Sequence, residues 1–306
     1  MKYELITILG PTAVGKTRLA AKLAHRFNGQ IISADSRQVY RGMDIGTGKD
    51  IADYTVNQKT IPYHLIDILP PNEEFNLFSF KKEFDTAFEK IKKKNKTPFL
   101  VGGTGLYLSA ILKGYNLVDA DFNSERFNQL MNLSQETLAE TLLKINPEQH
   151  NTTDLKIKER IVKAIIIAEA EKDKSKIKKS EAINSLVIGV SRSRDEIKKS
   201  ITSRLKTRLD EGMIDEVKNL IESGVPKEKL EFFGLEYKFI SRYIYNEINY
   251  NDMFQKLNSA IHSFAKRQMT WFRKMEREGI RIHWINGPDE KAAAEIIDLE
   301  YFNKHA

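Results

Sequence analysis

The chain has 306 residues, 41% of them hydrophobic, which is enough to form one large α/β domain or a core with an insertion. Its 49 Lys and Arg against 42 Asp and Glu give a net charge of +7, which fits either a polyanionic partner or an ordinary lysine-rich surface. The absence of cysteine excludes disulfides, Cys-ligated zinc and thiol catalysis and favours the cytoplasm, and no apolar run reaches the roughly 18 residues of a membrane span.

The first predicted element is a strand from Tyr3 to Leu9, which leaves no room ahead of it for a signal peptide. An amphipathic helix follows after the segment Gly10-Pro11-Thr12-Ala13-Val14-Gly15-Lys16-Thr17. This is the G-x-x-x-x-G-K-[ST] pattern in its strand–loop–helix context, where backbone N–H groups form a nest for phosphate at a helix N-terminus. Lys16 adds a charge for the terminal phosphate oxygens, and the Thr17 hydroxyl can bind Mg²⁺. We therefore expect a site for a di- or triphosphate.

Further strands are predicted at Gln30 to Ala34, Pro62 to Ile68 and Pro98 to Val101. Between the last two, apolar side chains recur at helical spacing and predict a core-facing stripe: Phe80, Phe84, Ala87, Phe88 and Ile91. Strands that alternate with helices predict a P-loop NTPase-like parallel sheet flanked by helices.

Polar residues follow several of these strands, at the edge of the sheet where open parallel sheets bind ligands. Asp35 comes directly after an apolar strand, and it could hold Mg²⁺ through water, act as a general base or cap the next turn. Asp67 follows Leu65 and Ile66 in a similar way and competes as the carboxylate on the metal side. Thr104 could offer its hydroxyl to a substrate or start a helix.

The alternation of strands and helices stops after residue 114, and helical patterns without a strand continue to a charged run at residues 171–180, which predicts a solvated loop. A strand returns at Leu186 to Val190, long helical patterns follow, and a last strand is predicted at Ile280 to Ile285. We therefore expect an all-helical insertion at 115–185 between the first part of the core, 1–114, and its completion with C-terminal helices, 186–306.

Two basic sets lie in the last part of the chain. Arg204 and Arg208 are four residues apart on a predicted helix, so they share a face that suits phosphate oxygens or surface pairing with neighbouring carboxylates. The segment from Phe264 to Lys274 mixes cations with aromatic residues, which fits either a helix that faces nucleic acid or packing of the aromatics in the core.

Together these segments resemble the tRNA dimethylallyltransferase (tRNA isopentenyltransferase) family. The resemblance spans nearly the whole chain in family order and is most specific from Ser33 to Thr47. It is carried by Gly10 to Thr17, Ser33 to Thr47, His64 to Asp67, Val101 to Tyr107, Gly212 to Val217 and Phe264 to Arg273.

The resemblance implies transfer of a dimethylallyl group from dimethylallyl diphosphate to N6 of the adenosine 3′ of the anticodon in tRNA, with Mg²⁺ at Thr17 and the phosphate loop holding the leaving diphosphate. Asp35 matches the general base, Thr104 a hydroxyl beside the reacting centre, and Arg208 an arginine that reaches the diphosphate. Contacts with tRNA would come from the insertion and from Asp35, Ser36, Arg37, Gln38, Thr104, Arg126, Arg160 and Lys163. We expect the enzyme to act as a monomer.

The chain departs from the family where Lys163 and His262 replace arginine and Ile261 replaces threonine, and its segment 230–237 is acidic and apolar instead of basic. These departures leave the diphosphate chemistry intact and affect the contacts to tRNA. Three other functions fit parts of the pattern: phosphoryl transfer from ATP, prenylation of free adenylate, and RNA binding with a regulatory phosphate site.

Overall fold

The computed structural model describes residues 3–122, 124–147, 158–172, 177–178 and 181–302. The chain forms two compact units, one made of Met1–Lys113 with Ile183–Ala306 and the other of Gly114–Ala182. The second unit overlaps the insertion that the sequence predicts at 115–185.

The strands follow one another along the chain as β1 (Leu5–Leu9), β2 (Gly29–Ala34), β3 (Thr55–Val56), β4 (Lys59–Thr60), β5 (Tyr63–His64), β6 (Thr97–Gly102), β7 (Leu117–Val118), β8 (Ile177–Lys178), β9 (Ser185–Ser191) and β10 (Ile282–Asn286). Six of them form one sheet in the order β10-β9-β1-β6-β2-β5, and every pairing in it is parallel. All residues of β1 and β2 are buried, as expected for a parallel sheet covered on both faces.

The helices are α1 (Lys16–Arg26), α2 (Leu77–Lys93), α3 (Gly105–Lys113), α4 (Glu125–Met131), α5 (Gln135–Ile145), α6 (Lys158–Glu171), α7 (Arg194–Asp210), α8 (Met213–Glu222), α9 (Lys227–Phe233), α10 (Leu235–Ile244), α11 (Tyr250–Arg277) and α12 (Glu290–Ile296). Two hydrophobic clusters cover the sheet, one built with α2, α3 and α7 to α11 and the other with α1 and α12. The stripe predicted on α2 is buried in the larger cluster, which confirms that its aromatic residues belong to the core. The P-loop NTPase-like α/β architecture is confirmed.

The second unit contains α4, α5 and α6, which pack around a small apolar core of Leu130, Leu138, Leu142, Ile161, Val162 and Ile165. The prediction that this insertion lacks strands is wrong, because β7 and β8 form a short antiparallel pair with Leu117 beside Lys178 and Val118 beside Ile177. Strands of two residues have no side-chain periodicity, so only the pairing of two distant backbone segments creates them. Most of the charged run predicted as a solvated loop lies outside the described residues.

Within the described part of the chain, no helix combines the length and the apolar character that crossing a membrane requires.

Candidate functional site

Three strand ends meet at one edge of the sheet. Leu9 of β1 and Ala34 of β2 both lie beside Gly102 of β6, so the residues that follow them, Gly10, Asp35 and Gly103, come together. This is the convergence that the sequence predicted. The cleft there has a volume of about 120 Å³, and its polar lining includes Thr12, Lys16, Thr17, Ser33, Asp35, Gln38, Thr47, Asp50, Asp53, Arg204 and Gln268.

The phosphate loop joins β1 to α1 in the predicted way. Gly10 has no room for a side chain, since a Cβ there would overlap the backbone carbonyl of Val190 on β9. Ala13 and Gly15 have positive φ angles of 65° and 86°, which turns the backbone so that the loop curls around the start of α1. The Lys16 ammonium bends back over the loop and donates to the carbonyl of Pro11 at 2.6 Å. In this conformation the loop forms part of the lining of the cleft.

Gln268 of α11 holds the phosphate loop against the glycine turn after β6. Its Oε1 accepts from the backbone N–H of Thr12 at 2.8 Å, and its Nε2 donates to the carbonyl of Gly103 at 2.9 Å. The side chain is buried, so neither hydrogen bond competes freely with water. Sequence analysis placed Gln268 inside a family motif without assigning it a role; its amide has both a donor and an acceptor, which is what this bridge needs.

The aromatic residues of the segment from Phe264 to Lys274 are largely structural. The Trp271 ring covers Gly105, and its Nε1 donates to the Ser109 hydroxyl at 2.8 Å, while Phe272 is fully buried. Packing in the core therefore describes Trp271 and Phe272, whereas Phe264 lines the cleft, and the exposed side chains of the segment are mainly its cations.

The cations of the cleft are strongly affected by burial. Burial and the neighbouring Arg204 guanidinium lower the pKa of Lys16 to about 7, and the Asp35 carboxylate opposes this shift. Burial and the nearby Arg208 lower the pKa of Arg204 to about 10. Lys16 and Arg204 are close together and desolvated, which favours an anion beside them, and three carboxylates, Asp35, Asp50 and Asp53, line the same cleft.

Binding of inorganic diphosphate is therefore expected to take up a proton. Below pH 7 Lys16 is already protonated, but above pH 7 the free site must gain a proton, because the anion stabilises the ammonium form. The contribution of Lys16 to the affinity should fall by up to about tenfold per pH unit above pH 7. Calorimetry in buffers of different ionisation enthalpy measures this uptake. An equal uptake by a Lys16→Met protein would contradict it.

Arg204 and Arg208 do not lie in equivalent places. The Arg204 guanidinium donates to the Thr12 hydroxyl and lines the cleft. Arg208, which the sequence analysis placed at the diphosphate, is buried behind the cleft wall and contacts the Asp50 carboxylate at 3.3 Å instead. One helical turn separates the two residues, and only Arg204 is level with the phosphate loop. The geometry thus favours Arg204 over Arg208 as the arginine that reaches a bound diphosphate.

A small cavity of about 10 Å³ lies between these two arginines and Glu236 of α10. Burial raises the pKa of Glu236, and the two guanidinium groups oppose that shift. Glu236 belongs to the acidic and apolar segment 230–237, so this part of the segment lies next to Arg204 and Arg208.

Asp35 has one of the roles that the sequence left open, that of a cap, and it also lines the cleft. Its Oδ1 accepts from the backbone N–H of Arg37 at 2.9 Å and of Gln38 at 3.4 Å, so the carboxylate caps the turn after β2. Among the described residues, Oδ2 accepts no hydrogen bond, and the side chain lines the cleft. The Thr104 hydroxyl accepts from the N–H of Ser36 at 3.3 Å, which fixes it beside the same turn.

Asp67, the competing carboxylate, is used elsewhere. It accepts from the buried ammonium of Lys49, which also contacts Asp44 at 2.7 Å and the carbonyl of Tyr40 at 2.6 Å. Asp67 does not line the phosphate cleft. Lys49 and Asp67 therefore brace the loop after β2, and of the two competing carboxylates only Asp35 lines the cleft.

The turn that follows Asp35 is held by its own side chains. Gln38 accepts from the Ser33 hydroxyl at 3.1 Å and donates to the carbonyl of Gly48 at 3.1 Å. Arg37 donates to the carbonyls of Phe233 and Phe232 at 3.0 and 3.1 Å and lies over both rings. Gln38 thus reaches the cleft, whereas the Arg37 guanidinium anchors the turn to α9.

The predicted tRNA-contacting cations of the second unit lie on α4 and α6. Arg126 is half exposed and forms a two-pronged contact with Glu169, at 2.6 and 3.2 Å. Lys163 pairs with Glu159 at 2.8 Å, one turn away on the same helix, and Arg160 is exposed. These positions are compatible with a basic surface whose charges are partly balanced within the unit.

Glu216 of α8 organises the loop from Asp44 to Gly46. Its two carboxylate oxygens accept from the N–H groups of Asp44, Ile45 and Gly46 at 2.8, 2.6 and 3.0 Å, and from the Tyr237 hydroxyl at 2.8 Å. Hydrogen bonds to a charged group are stronger than neutral ones, and their loss leaves several donors unsatisfied. The loop continues to Gly48, whose carbonyl accepts from Gln38, so Glu216 supports the cleft indirectly.

Glu216→Ala is accordingly expected to lower the free energy of unfolding by about 2–4 kcal/mol, since it removes four hydrogen bonds to one carboxylate. Urea denaturation followed by circular dichroism measures this change. The neighbouring exposed Asp215, paired only with Lys218, is the matched control, and Asp215→Ala should change stability by less than about 0.5 kcal/mol. Equal effects of the two variants would contradict the assigned role.

No group of three or more His, Cys, Asp or Glu side chains suited to hold a metal occurs in the described ranges. Mg²⁺ does not need such a cage, because it usually binds one or two protein oxygens, phosphate oxygens and water. The Thr17 hydroxyl and the carboxylates of Asp35, Asp50 and Asp53 all line the cleft, so the donor set fits a magnesium ion that arrives with a phosphate ligand.

Comparison with known proteins adds to this geometry. The chain is 52% identical over 301 residues to tRNA dimethylallyltransferase 1 of Geotalea uraniireducens, with 98% of each chain covered. A solved structure of the full-length tRNA isopentenylpyrophosphate transferase from Bacillus halodurans is 31% identical, has a TM-score of 0.66, and covers 98% of this chain and 95% of its own. A eukaryotic dimethylallyltransferase acting on tRNA, 21% identical with a TM-score of 0.76 over 99% of this chain and 80% of its own, shares the fold.

Two family models also match. The isopentenyl transferase model matches residues 3–61 and the IPP transferase model residues 38–275, so the two together cover the phosphate loop, the turn at Asp35 and most of α11. A match of this extent, together with relatives about half identical over nearly the full length, shows that the chain belongs to the IPP transferase family.

Proposed function

We propose that this protein transfers a dimethylallyl group from dimethylallyl diphosphate to N6 of the adenosine 3′-adjacent to the anticodon in tRNA. One observation carries the proposal. The phosphate loop and Asp35 line the same cleft, and Asp35 Oδ2 accepts no hydrogen bond from the described residues. The names of the family and of its relatives identify the reaction class as prenyl transfer to tRNA.

The diphosphate leaves as the allylic C–O bond breaks and its electron pair moves onto the departing oxygen. Lys16, Arg204 and the loop N–H groups would stabilise that developing charge, and they are placed before the reaction begins. Arg208 would not contact the diphosphate; its ion pair with Asp50 would keep that part of the cleft wall in place. Magnesium, bound by Thr17 and by diphosphate oxygens, would add further positive charge to the leaving group.

On the acceptor side, the lone pair of N6 forms the new N–C bond while one N6 proton passes to Asp35 Oδ2. The two backbone hydrogen bonds to Oδ1 keep the carboxylate oriented for this transfer. Thr104 would offer its hydroxyl to the reacting centre, and Ser36, Arg37 and Gln38 would shape the pocket for an extruded base. An adenine reached in this way must be unstacked, as in an anticodon loop.

The second unit would bind the anticodon arm through Arg126, Arg160 and Lys163. We further propose that the protein acts as a monomer. The cysteine-free composition and a tRNA substrate support a cytoplasmic location.

The test is incubation of the purified protein with Mg²⁺, an anticodon stem-loop and labelled dimethylallyl diphosphate, followed by mass spectrometry of the RNA. The expected product is N6-prenylated adenosine at the position 3′ of the anticodon. Phosphoryl transfer from labelled ATP without prenylation would establish a phosphotransferase instead, and modification of free adenylate in preference to the stem-loop would establish the free-nucleotide reaction.

A further inference from the structure

A second and larger depression, here called the cationic groove, lies between α7 and α11 beyond the end of β9. Its volume is about 560 Å³, within the usual range for small-molecule sites. Its floor is apolar, with Ile197, Ile201, Ala265 and Met269, and its polar lining is Arg192, Arg194, Lys198, His262, Ser263, Lys266 and Arg273. The lining contains no carboxylate, so its charged side chains are all cationic or titrate to a cation.

The cations of the groove are available to a ligand. Arg194, Lys266 and Arg273 are exposed, and no carboxylate of the described residues lies within ion-pair distance of them. Lys198 has only a long contact of 3.6 Å with the exposed Asp195. The Nε of Arg192 is buried without a hydrogen-bond partner among the described residues, and a buried donor in that state is costly unless a ligand or water satisfies it.

The groove is adjacent to the phosphate cleft, and the same two helices form both. On α7, Arg204 lines the cleft, while Ile201, one turn earlier, lines the groove. On α11, Gln268 lines the cleft, while Lys266 and Met269 line the groove. An anion that moves from the phosphate loop towards the groove would therefore meet the cations of the groove next.

The order of the strands places the groove on a defined side of the phosphate loop. Along the sheet edge, Asp35 follows β2, the phosphate loop follows β1, and Arg192 follows β9, and β1 lies between the other two. In prenyl transfer, the allyl group lies between the amine at Asp35 and the diphosphate. If the amine is held at Asp35 as proposed, the outer face of a diphosphate in the loop would be turned towards β9 and the groove.

We propose that the cationic groove is a second binding site for diphosphate, which the anion occupies on its way to or from the phosphate loop. This inference rests on the proposed function for its direction, but the binding itself does not require catalysis. The cluster of cations raises the local concentration of a multiply charged anion, and the apolar floor accommodates the five-carbon chain of the donor.

The binding test uses inorganic diphosphate and calorimetry, in a Lys16→Met background that weakens the phosphate loop. We expect residual binding in this background, and a further loss of at least about tenfold when Lys266→Glu and Arg273→Glu are added. Lys256→Glu, an exposed substitution on the same helix outside the groove, is the matched control and should leave the affinity unchanged. Thermal denaturation verifies that each variant is folded.

A kinetic arm distinguishes the source of the anion. In a protein with Lys16 intact, Lys266→Glu together with Arg273→Glu should raise the inhibition constant of inorganic diphosphate about tenfold. If the donor uses the same route, the KM for dimethylallyl diphosphate should rise as well. Residual diphosphate binding that the groove substitutions leave unchanged would overturn the proposal. So would a rise confined to the KM for tRNA, which would identify the groove as an RNA contact. Failure of prenyl transfer with intact diphosphate binding would instead contradict the proposed function alone.

Discussion

Asp35→Asn is expected to lower kcat by about 10²–10⁴-fold, because the amide cannot accept the N6 proton as the new bond forms. The amide oxygen can still accept from the N–H groups of Arg37 and Gln38, so the turn that the carboxylate caps should survive. Single-turnover prenylation of an anticodon stem-loop measures the chemical step directly. Affinity for inorganic diphosphate should change little, since the phosphate loop is untouched.

Two companion variants distinguish the loss of the general base from the loss of the turn cap or of a negative charge in the cleft. Asp35→Ala removes the cap as well, so it should lose the same catalytic factor and also some stability. Asp53→Asn alters another carboxylate of the same cleft, whose pKa burial and the nearby Asp50 raise, and it should affect kcat far less. A near-normal rate for Asp35→Asn would remove this residue from the role of base.

Lys16→Met is expected to lower kcat/KM by about 10²–10³-fold, because it removes a donor aimed at the charge that develops on the leaving group. The loss should appear in both diphosphate affinity and kcat, since the ammonium contacts ground-state and transition-state anions. Calorimetry with inorganic diphosphate and steady-state kinetics with the prenyl donor measure the two parts. Lys22→Met is the control on the same helix, because Lys22 is exposed, pairs with Glu290 and lies outside the cleft.

The same substitution should stabilise the ligand-free protein. The pKa of Lys16 falls from 10.5 to about 7 on folding, so the buried ammonium costs stability in full below pH 7, and this cost disappears as the pH rises towards 10.5. Lys16→Met should therefore raise Tm more at pH 6 than at pH 9. A lower Tm than wild type at pH 6 would show that Lys16 is stabilising in the free protein and would contradict the expected cost of its burial.

Local sequence was sufficient to predict the phosphate loop and the position of Asp35. The loop is one contiguous segment between a strand and a helix, so its geometry follows from its own glycines and from the hydrogen-bonding needs of a helix N-terminus. Asp35 could be placed because it directly follows a buried strand of a parallel sheet. The aromatic stripe of α2 was predictable for a similar reason, since helical periodicity is a local property.

The contacts that support the site could not be predicted from local sequence. Gln268 meets Thr12 across 256 residues of chain, and Glu216 meets the loop at Asp44 across 172. The pairing of Asp67 with Lys49 excluded it from the cleft, although its sequence context resembled that of Asp35. Such choices depend on which side chains the fold brings within about 3 Å of one another, and local patterns do not contain that information.

By itself, the amino-acid sequence determined the class of fold, the phosphate loop and the carboxylate that faces it, because each depends on residues that are close along the chain. Only the tertiary structure placed Arg204 rather than Arg208 in the lining of the cleft, revealed the bridge made by Gln268, and brought five Arg and Lys side chains into one groove. The physical reason is that the packing of α7 and α11 at the sheet edge fixes which face of each helix meets the loop. A spacing of four residues places two arginines on one face but not at one depth.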